Sequence, residues 1–439
     1  MRAEQSTRIR QKNRTLLVEV VTAAFLFAGS LLASNDDLAG DWFLCGSDIQ
    51  GNHTWDGNVV LSSDGSVTDG SMNGSDGSPG YSLVGGSLAI DGTGRVTGTI
   101  QDSDGITTQM TMHMDPAKGL IAGEGNAVVG SEDGVFVWVR KATGFVAADL
   151  AGDWFLCGED IQGDHTWGGN VVLSSDGSVT GGRMNPYTLV GGSLSIDDTG
   201  RVTGTILDSD GITTQLTMHM DPAKGLMAGE GNALVGREDG VFMLVRKATG
   251  FVAADLAGDW FLCGSDIQGN HTWDGNVVLS SDGSVTGGSI NGSDGPPPGY
   301  SLVGGSLAID DTGRVTGTMQ DSDGVTTQMT MHMDPAKGLV AGEGNAIGGN
   351  EDGVYVFVRK AHPGLAAIVR IAIDQPGQRV ELSIADLYPG SIYTIQRSLT
   401  LQPDDWLDLQ TFEASDTEKT WFESLDPEWG KAFWRVKNE

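Results

Sequence analysis

Basic residues are scarce: 26 Lys and Arg stand against 58 Asp and Glu in 439 residues, a formal charge of −32. Such a chain repels phosphate backbones and anionic headgroups, which argues against nucleic acid and anionic membranes as partners. Proline is sparse at 13 while glycine reaches 66, a balance that disfavours collagen and coiled coil and suits short strands joined by tight turns. Cysteine is limited to Cys45, Cys157 and Cys263, each in the string Asp-Trp-Phe-Leu-Cys-Gly. With one cysteine per copy no bridge inside a copy is available, and buried free thiols are expected. No long apolar run is present; the run from Val20 to Ala33 is shorter than the ~20 residues a bilayer helix needs. It follows a basic leader (Arg2, Arg8, Arg10, Lys12, Arg14), an order that reads as a signal peptide over residues 1–34, with an uncleaved anchor as the alternative. Nucleophile elbow, phosphate loop and His-Glu-x-x-His helix are all missing, so enzymatic activity has no positive support.

What is present is repetition. Leu-Ala-Gly-Asp-Trp-Phe-Leu-Cys-Gly recurs around Trp42, Trp154 and Trp260, and the copies differ at few positions. Near-identity implies recent duplication, so a residue found three times has been copied rather than independently retained. The expected division is a leader over 1–34, repeats over 35–147, 148–253 and 254–364, and a C-terminal module over 365–439.

Inside a copy, Asp/Gly turns such as Asp64-Gly65 and Asp91-Gly-Thr-Gly94 separate apolar stretches, the pattern of β-hairpins. Eight strands per copy follow, from about 41–46 to 134–141. Ile106, Thr108, Met110, Met112 and Met114 alternate with Thr107, Gln109, Thr111 and His113, so one face is core and the other polar. Val135, Val137 and Val139 alternate with Phe136 and Trp138, leaving both faces apolar and one to pack on a neighbouring barrel. Closure removes the exposed edges of an open meander. The fold class is therefore all-β: three tandem eight-stranded antiparallel up-and-down barrels plus a small C-terminal β-sandwich. A six-bladed propeller is the structural alternative, against which the unequal turn spacing counts. Each copy is expected to fold as an independent domain, in a monomer with inter-repeat contacts.

Gly40-Asp41-Trp42 on the first strand with Arg140 ending the eighth resembles the Gly-x-Trp and closing Arg of calycin barrels, the lipocalin and avidin group. The pattern recurs as Gly152, Trp154 and Arg246, and as Gly258, Trp260 and Arg359. The resemblance implies that each Trp closes the barrel floor with the Arg across it, and that the interior takes a small apolar ligand. After residue 365 the strings Tyr393-Thr-Ile-Gln-Arg397, Trp406, Trp421 and Phe433-Trp434-Arg435-Val436 are similar to fibronectin type III-like modules of secreted bacterial proteins. That resemblance implies an accessory module without catalytic residues.

Three constellations could carry chemistry. Cys45, Asp48, His53 and Asp56, with counterparts Cys157, Asp160, His165 and Cys263, Asp266, His271, Asp274, offer thiolate, imidazole and carboxylate to Zn²⁺, though the spacing matches no established zinc pattern. His113, His219 and His332 read as isolated surface histidines. Asp102/Asp104, Asp208/Asp210 and Asp321/Asp323 could hold Ca²⁺, but a hairpin turn explains them better. No other cofactor is expected. The favoured function is a secreted or cell-surface, non-catalytic modular protein that binds an unidentified extracellular ligand or surface component, with the periplasm as the other location. The alternative is a secreted metal-dependent hydrolase using Asp48/His53, Asp160/His165 and Asp266/His271.

Overall fold

The computed structural model describes residues 33–48, 53–75, 80–128, 133–160, 165–235, 239–266, 271–293, 299–348, 352–360 and the strands beyond residue 366. Apart from Ala33 and Ser34, the leader lies outside the described residues. Leu32–Ala361 form one compact unit of three closed eight-stranded barrels. In barrel 1 the strands are β1 (Gly40–Asp48), β2 (His53–Leu61), β3 (Val67–Gly74), β4 (Tyr81–Ile90), β5 (Arg95–Asp102), β6 (Thr107–Met114), β7 (Leu120–Ala127) and β8 (Asp133–Arg140). Each pairs antiparallel with the next, and β1 pairs with β8 to close the ring. Barrels 2 and 3 repeat this from Gly152 to Arg246 and from Gly258 to Arg359. The all-β, three-barrel reading of the sequence matches this architecture. Beyond them, six strands form two three-stranded sheets, Ala367–Asp374, Arg379–Ala385 and Lys419–Ser424 in one, and Ile392–Ser398, Leu407–Glu413 and Phe433–Asn438 in the other.

The pleat sorts each strand into two faces. On β1, Trp42 and Leu44 point into the barrel and Phe43 and Cys45 point out; on β6, Met110, Met112 and Met114 point in. The interior also holds Trp55, Leu88, Ile100, Phe136 and Trp138, so it is a packed core. Arg140 closes the floor, its guanidinium carbon 4.1 Å from the centroid of Trp42. It donates to the carbonyls of Lys118 (2.8 Å), Ala39 (2.7 Å) and Asp37, tying the β6–β7 turn to the short helix α1 (Asn35–Leu38) and the start of β1. Trp42 Nε1 donates to Leu38 O at 2.8 Å from inside. The same stack recurs at Arg246 over Trp154 (4.2 Å) and Arg359 over Trp260 (4.1 Å). In barrels 2 and 3 the connection entering the barrel adds Phe145 or Phe251 to the interior cluster, where barrel 1 has Ala33.

The three barrels are not separate in packing, which modifies the expectation of independent domains. Outward residues of β1, β7 and β8 and their equivalents form one shared apolar cluster, including Phe43, Cys45, Ala122 and Val137 and their counterparts. Contacts run head to tail around it. Phe43 of barrel 1 stacks on His219 of barrel 2 (centroids 4.4 Å), Phe155 of barrel 2 on His332 of barrel 3 (4.5 Å), and Phe261 of barrel 3 on His113 of barrel 1 (5.3 Å). A heterologous contact that closes after three steps makes a ring. The second polar contact follows the same sense: Thr54 Oγ1 donates to Glu230 and Thr272 Oγ1 to Glu124, both at 3.3 Å. In the seam between barrels 2 and 3, Gly168 replaces the aspartate of the other copies, and a Cβ there would meet Glu343 Oε1 at 2.8 Å.

This arrangement corrects the reading of His113, His219 and His332 as surface residues: they are 1 to 2% exposed. Their strand face is outward from the barrel yet inward to the ring. The thiols of Cys45, Cys157 and Cys263 are free and fully buried, and burial pushes them up.

Two outcomes follow. Trp42→Ala in the full chain should cost about 3 to 5 kcal/mol through the cavity. Arg140→Lys should cost about 2 to 3 kcal/mol, because one ammonium cannot reach three carbonyls fixed for a guanidinium fork. A double-mutant cycle by denaturant unfolding should show coupling between them, and strict additivity would mean the stack carries no energy. The second outcome concerns acid. Burial, and then Lys360, Lys141 and Lys247 respectively, hold His113, His219 and His332 down to about 4. The unfolded chain takes up these protons near the ordinary value of about 6.5 and the folded chain does not, so their contribution is lost as pH falls from 6.5 towards 4. Replacing all three by Gln should flatten that arm of the midpoint-against-pH curve; an unchanged arm would place the acid sensitivity elsewhere.

Candidate functional site

Each barrel has a floor, closed by the Trp and Arg, and a mouth at the opposite end of β1. The mouth carries the Asp/His pairs singled out in the sequence. Asp48 and His53 face each other across the first hairpin and both point inward. Their Nε2 to Oδ2 distance is 3.6 Å, and the Asp266/His271 pair of barrel 3 is at 3.4 Å. Asp160 is buried at the same place in barrel 2 and pairs in register with His165, whose side chain lies outside the described residues. His53 meets Trp55 edge-on at 4.5 Å, and Trp55 meets Tyr81 at 5.8 Å. His271, Trp273 and Tyr300 repeat this, with centroids 4.5 and 6.4 Å apart, and Trp167 and Tyr187 stand 6.1 Å apart in barrel 2.

These side chains roof the interior. The mouth of barrel 2 has a cavity of only about 10 Å³, lined by Glu159, Asp160, Trp167, Met184, Thr214, Gly240 and Phe242. That is room for about one water. At the mouth of barrel 2 this leaves no room for the small apolar ligand that the calycin resemblance implies.

The proposed Cys/Asp/His zinc cluster is divided by the pleat. Cys45 is three residues from Asp48, so the two occupy opposite faces of β1, Cys45 in the shared inter-barrel cluster and Asp48 in the mouth. Grouping them by closeness in sequence overlooked strand parity. Among the described residues no three His, Cys, Asp or Glu side chains are placed to hold a metal ion. Ser47 shares the outward face with Cys45, so this hydroxyl and this thiol lie on the opposite face of the hairpin from the His53 imidazole. The acidic turns are satisfied by their own backbone: Asp102 Oδ1 accepts the N–H groups of Asp104 and Ile106, both at 2.9 Å, and Asp208 and Asp321 repeat it.

A second convergence was missed by sequence reading. Ser47, Glu159 and Ser265 are the same outward position of the first strand in the three barrels, and all three are buried where the barrels meet at the mouth end. Glu159 accepts a hydrogen bond from the Ser265 hydroxyl, which also accepts the Val354 N–H at 3.3 Å. The Ser47 hydroxyl flanks the carboxylate closely enough to favour its charged form, but makes no direct hydrogen bond. Burial outweighs both serines and pushes the Glu159 carboxyl up. The available signal was one letter: Glu interrupts an otherwise repeated Trp-Phe-Leu-Cys-Gly-Ser-Asp string.

No protein-family model matches this chain, and no curated protein does. Among solved structures it is similar to a double mutant of transferrin binding protein B from Haemophilus parasuis Hp5, at 13% identity over 71% of this chain and 66% of that one, with a TM-score of 0.26. It is similar also to isotype 1 transferrin binding protein B from serogroup B Neisseria meningitidis, at 12% identity over 70% of this chain and 66% of that one, with a TM-score of 0.25. The chain thus spans just under two thirds of those proteins' length, and a likeness of this size carries no argument about function.

Proposed function

We propose that the chain is an exported, non-catalytic binding protein that offers three equivalent mouths, on one side of a ring, to a repetitive extracellular surface component. The observation that supports this is the packing: interiors are filled and floors are sealed, so a partner must be met from outside. Ser47, Glu159 and Ser265 meet at the mouth ends, and the hairpin turns at the floor ends also meet, with Gly119 against Pro222, Gly225 against Pro335 and Gly338 against Pro116. The barrels therefore run parallel, and the strand ends at Asp48 and His53, Asp160 and His165, and Asp266 and His271 lie on the same side. Three weak contacts in fixed relation give avidity on a repetitive partner without any deep pocket. Export rests on the basic leader and apolar run, to the outside of the cell, its surface or the periplasm. The C-terminal sheets serve as a fibronectin type III-like spacer or attachment module, and the acidic turns take at most loosely held Ca²⁺.

Full-length protein should be passed over arrayed polysaccharides and matrix proteins, and retention measured for Tyr81→Ala, Tyr187→Ala and Tyr300→Ala singly and combined. Retention should fall stepwise as mouths are lost, with unchanged circular dichroism. Equal retention by the triple variant would remove the mouths from the reading. Turnover of ester, peptide or glycoside substrates that disappears in His53→Ala and His271→Ala would favour the hydrolase instead.

A further inference from the structure

The near-identity of the repeats poses a recognition problem. The three seams share their apolar cluster and their His–Phe stacks, so any barrel could in principle follow any other, within one molecule or between two. Besides Gly168 in the seam between barrels 2 and 3, the copies differ at the mouth end of the common axis, with one carboxyl, Glu159, between two hydroxyls, Ser47 and Ser265. We propose that this position admits one carboxyl per ring, so that Glu159 decides which barrels can close together: one second repeat with a first and a third, never two second repeats.

The reason is electrostatic. Glu159 is 2% exposed, and its carboxylate can accept but not donate. A serine on each side supplies a hydroxyl, one of them hydrogen-bonded. A ring with a second repeat in place of a first or third would set a second carboxylate at the Ser47 or Ser265 position, and two buried carboxylates in contact cannot both ionise. Among the described residues no basic side chain acts on the Glu159 carboxyl, whose polar neighbours are the two serines. The strands packed on the Glu159 strand (Gly152–Asp160) are His165–Leu173, Asp239–Arg246, Leu339–Ala346 and Asp352–Arg359. Their described ionisable residues towards the mouth are Asp239, Glu343, Asp352 and Tyr355, with His165 in sequence; Asp160 follows Glu159 on its own strand, and Cys157 precedes it with a thiol pushed up by burial, Glu343 and Glu159. Arg246 and Arg359 end their strands at the floor. A second buried carboxyl penalises wrong rings, so closure of one chain on itself is favoured over mixed rings from two chains.

The test moves the carboxyl around the ring in the full chain. Ser47→Glu alone gives two carboxyls and should lower the thermal midpoint at pH 8 by roughly 5 to 15 °C relative to wild type. Much of that loss should return at pH 5, where one carboxyl keeps its proton and donates to the other. Ser47→Glu combined with Glu159→Ser restores one carboxyl, now in barrel 1, and should bring the pH 8 midpoint back to within a few degrees of wild type. Ser47→Gln, equal in bulk and uncharged, should lose much less than Ser47→Glu at pH 8. If the double variant is no more stable than Ser47→Glu, or if Ser47→Gln is as damaging, bulk rather than charge governs the axis and the proposal fails. A Ser47→Glu midpoint equal to wild type at pH 8 would also overturn it.

Discussion

Everything in the three-barrel unit depends on one burial event, the removal from water of the outward faces of β1, β7 and β8 and their equivalents. A closed barrel needs no neighbour to complete its hydrogen bonds, and each interior already has its own Trp, Met and Leu core. What a single barrel would leave exposed is Phe43, Cys45, Leu120, Ala122, Val135, Val137 and Val139, a contiguous patch of the kind that soluble monomers rarely show. Three copies satisfy one another's patches, and the ring closes without a remaining edge. The polar contacts follow from that geometry. His219 can be neutral and stacked because Phe43 is delivered to it, and the Glu159 carboxyl is taken from water because the apolar cluster beneath it pulls the mouths together.

The barrels themselves were readable from the chain because their information is local. Asp/Gly turns fix the hairpins, and the period of two in the Met-rich strand 107–114 fixes which side is core. The double-sided apolar strand at 135–139 correctly announced a neighbour. The same signal is present in Trp42-Phe43-Leu44-Cys45, where consecutive large apolar residues must face both ways. The histidines failed for a related reason: Thr and Gln beside His113 look like a solvated face, and nothing within one copy says that the phenylalanine of another will cover it. Contacts between copies have no sequence separation rule, so the ring was invisible while its parts were not. The Asp48/His53 pair was found, but its link to Cys45 was drawn by distance along the chain rather than by strand parity.

The mouths and the axis illustrate how a repeat protein separates two jobs. Positions that hold each barrel shut are nearly invariant among the copies, since the same fold must be built three times. Positions where copies meet can differ, because a ring of three needs only that the sum around it be tolerable. Glu159 between two serines and Gly168 opposite Glu343 are both cases in which one copy departs from the others and a neighbour accommodates it.

The connections between barrels add a direction to this. Phe145 follows the last strand of barrel 1 but packs into the floor of barrel 2, and Phe251 does the same between barrels 2 and 3, while barrel 1 makes do with Ala33. A chain that emerges from its amino end therefore presents each later barrel with its floor piece already attached to a finished neighbour. In barrel 1 the described residue at that position is Ala33. Order of synthesis and order of packing coincide, so a truncated chain would end with whole barrels and an unused plug rather than with a half-built floor.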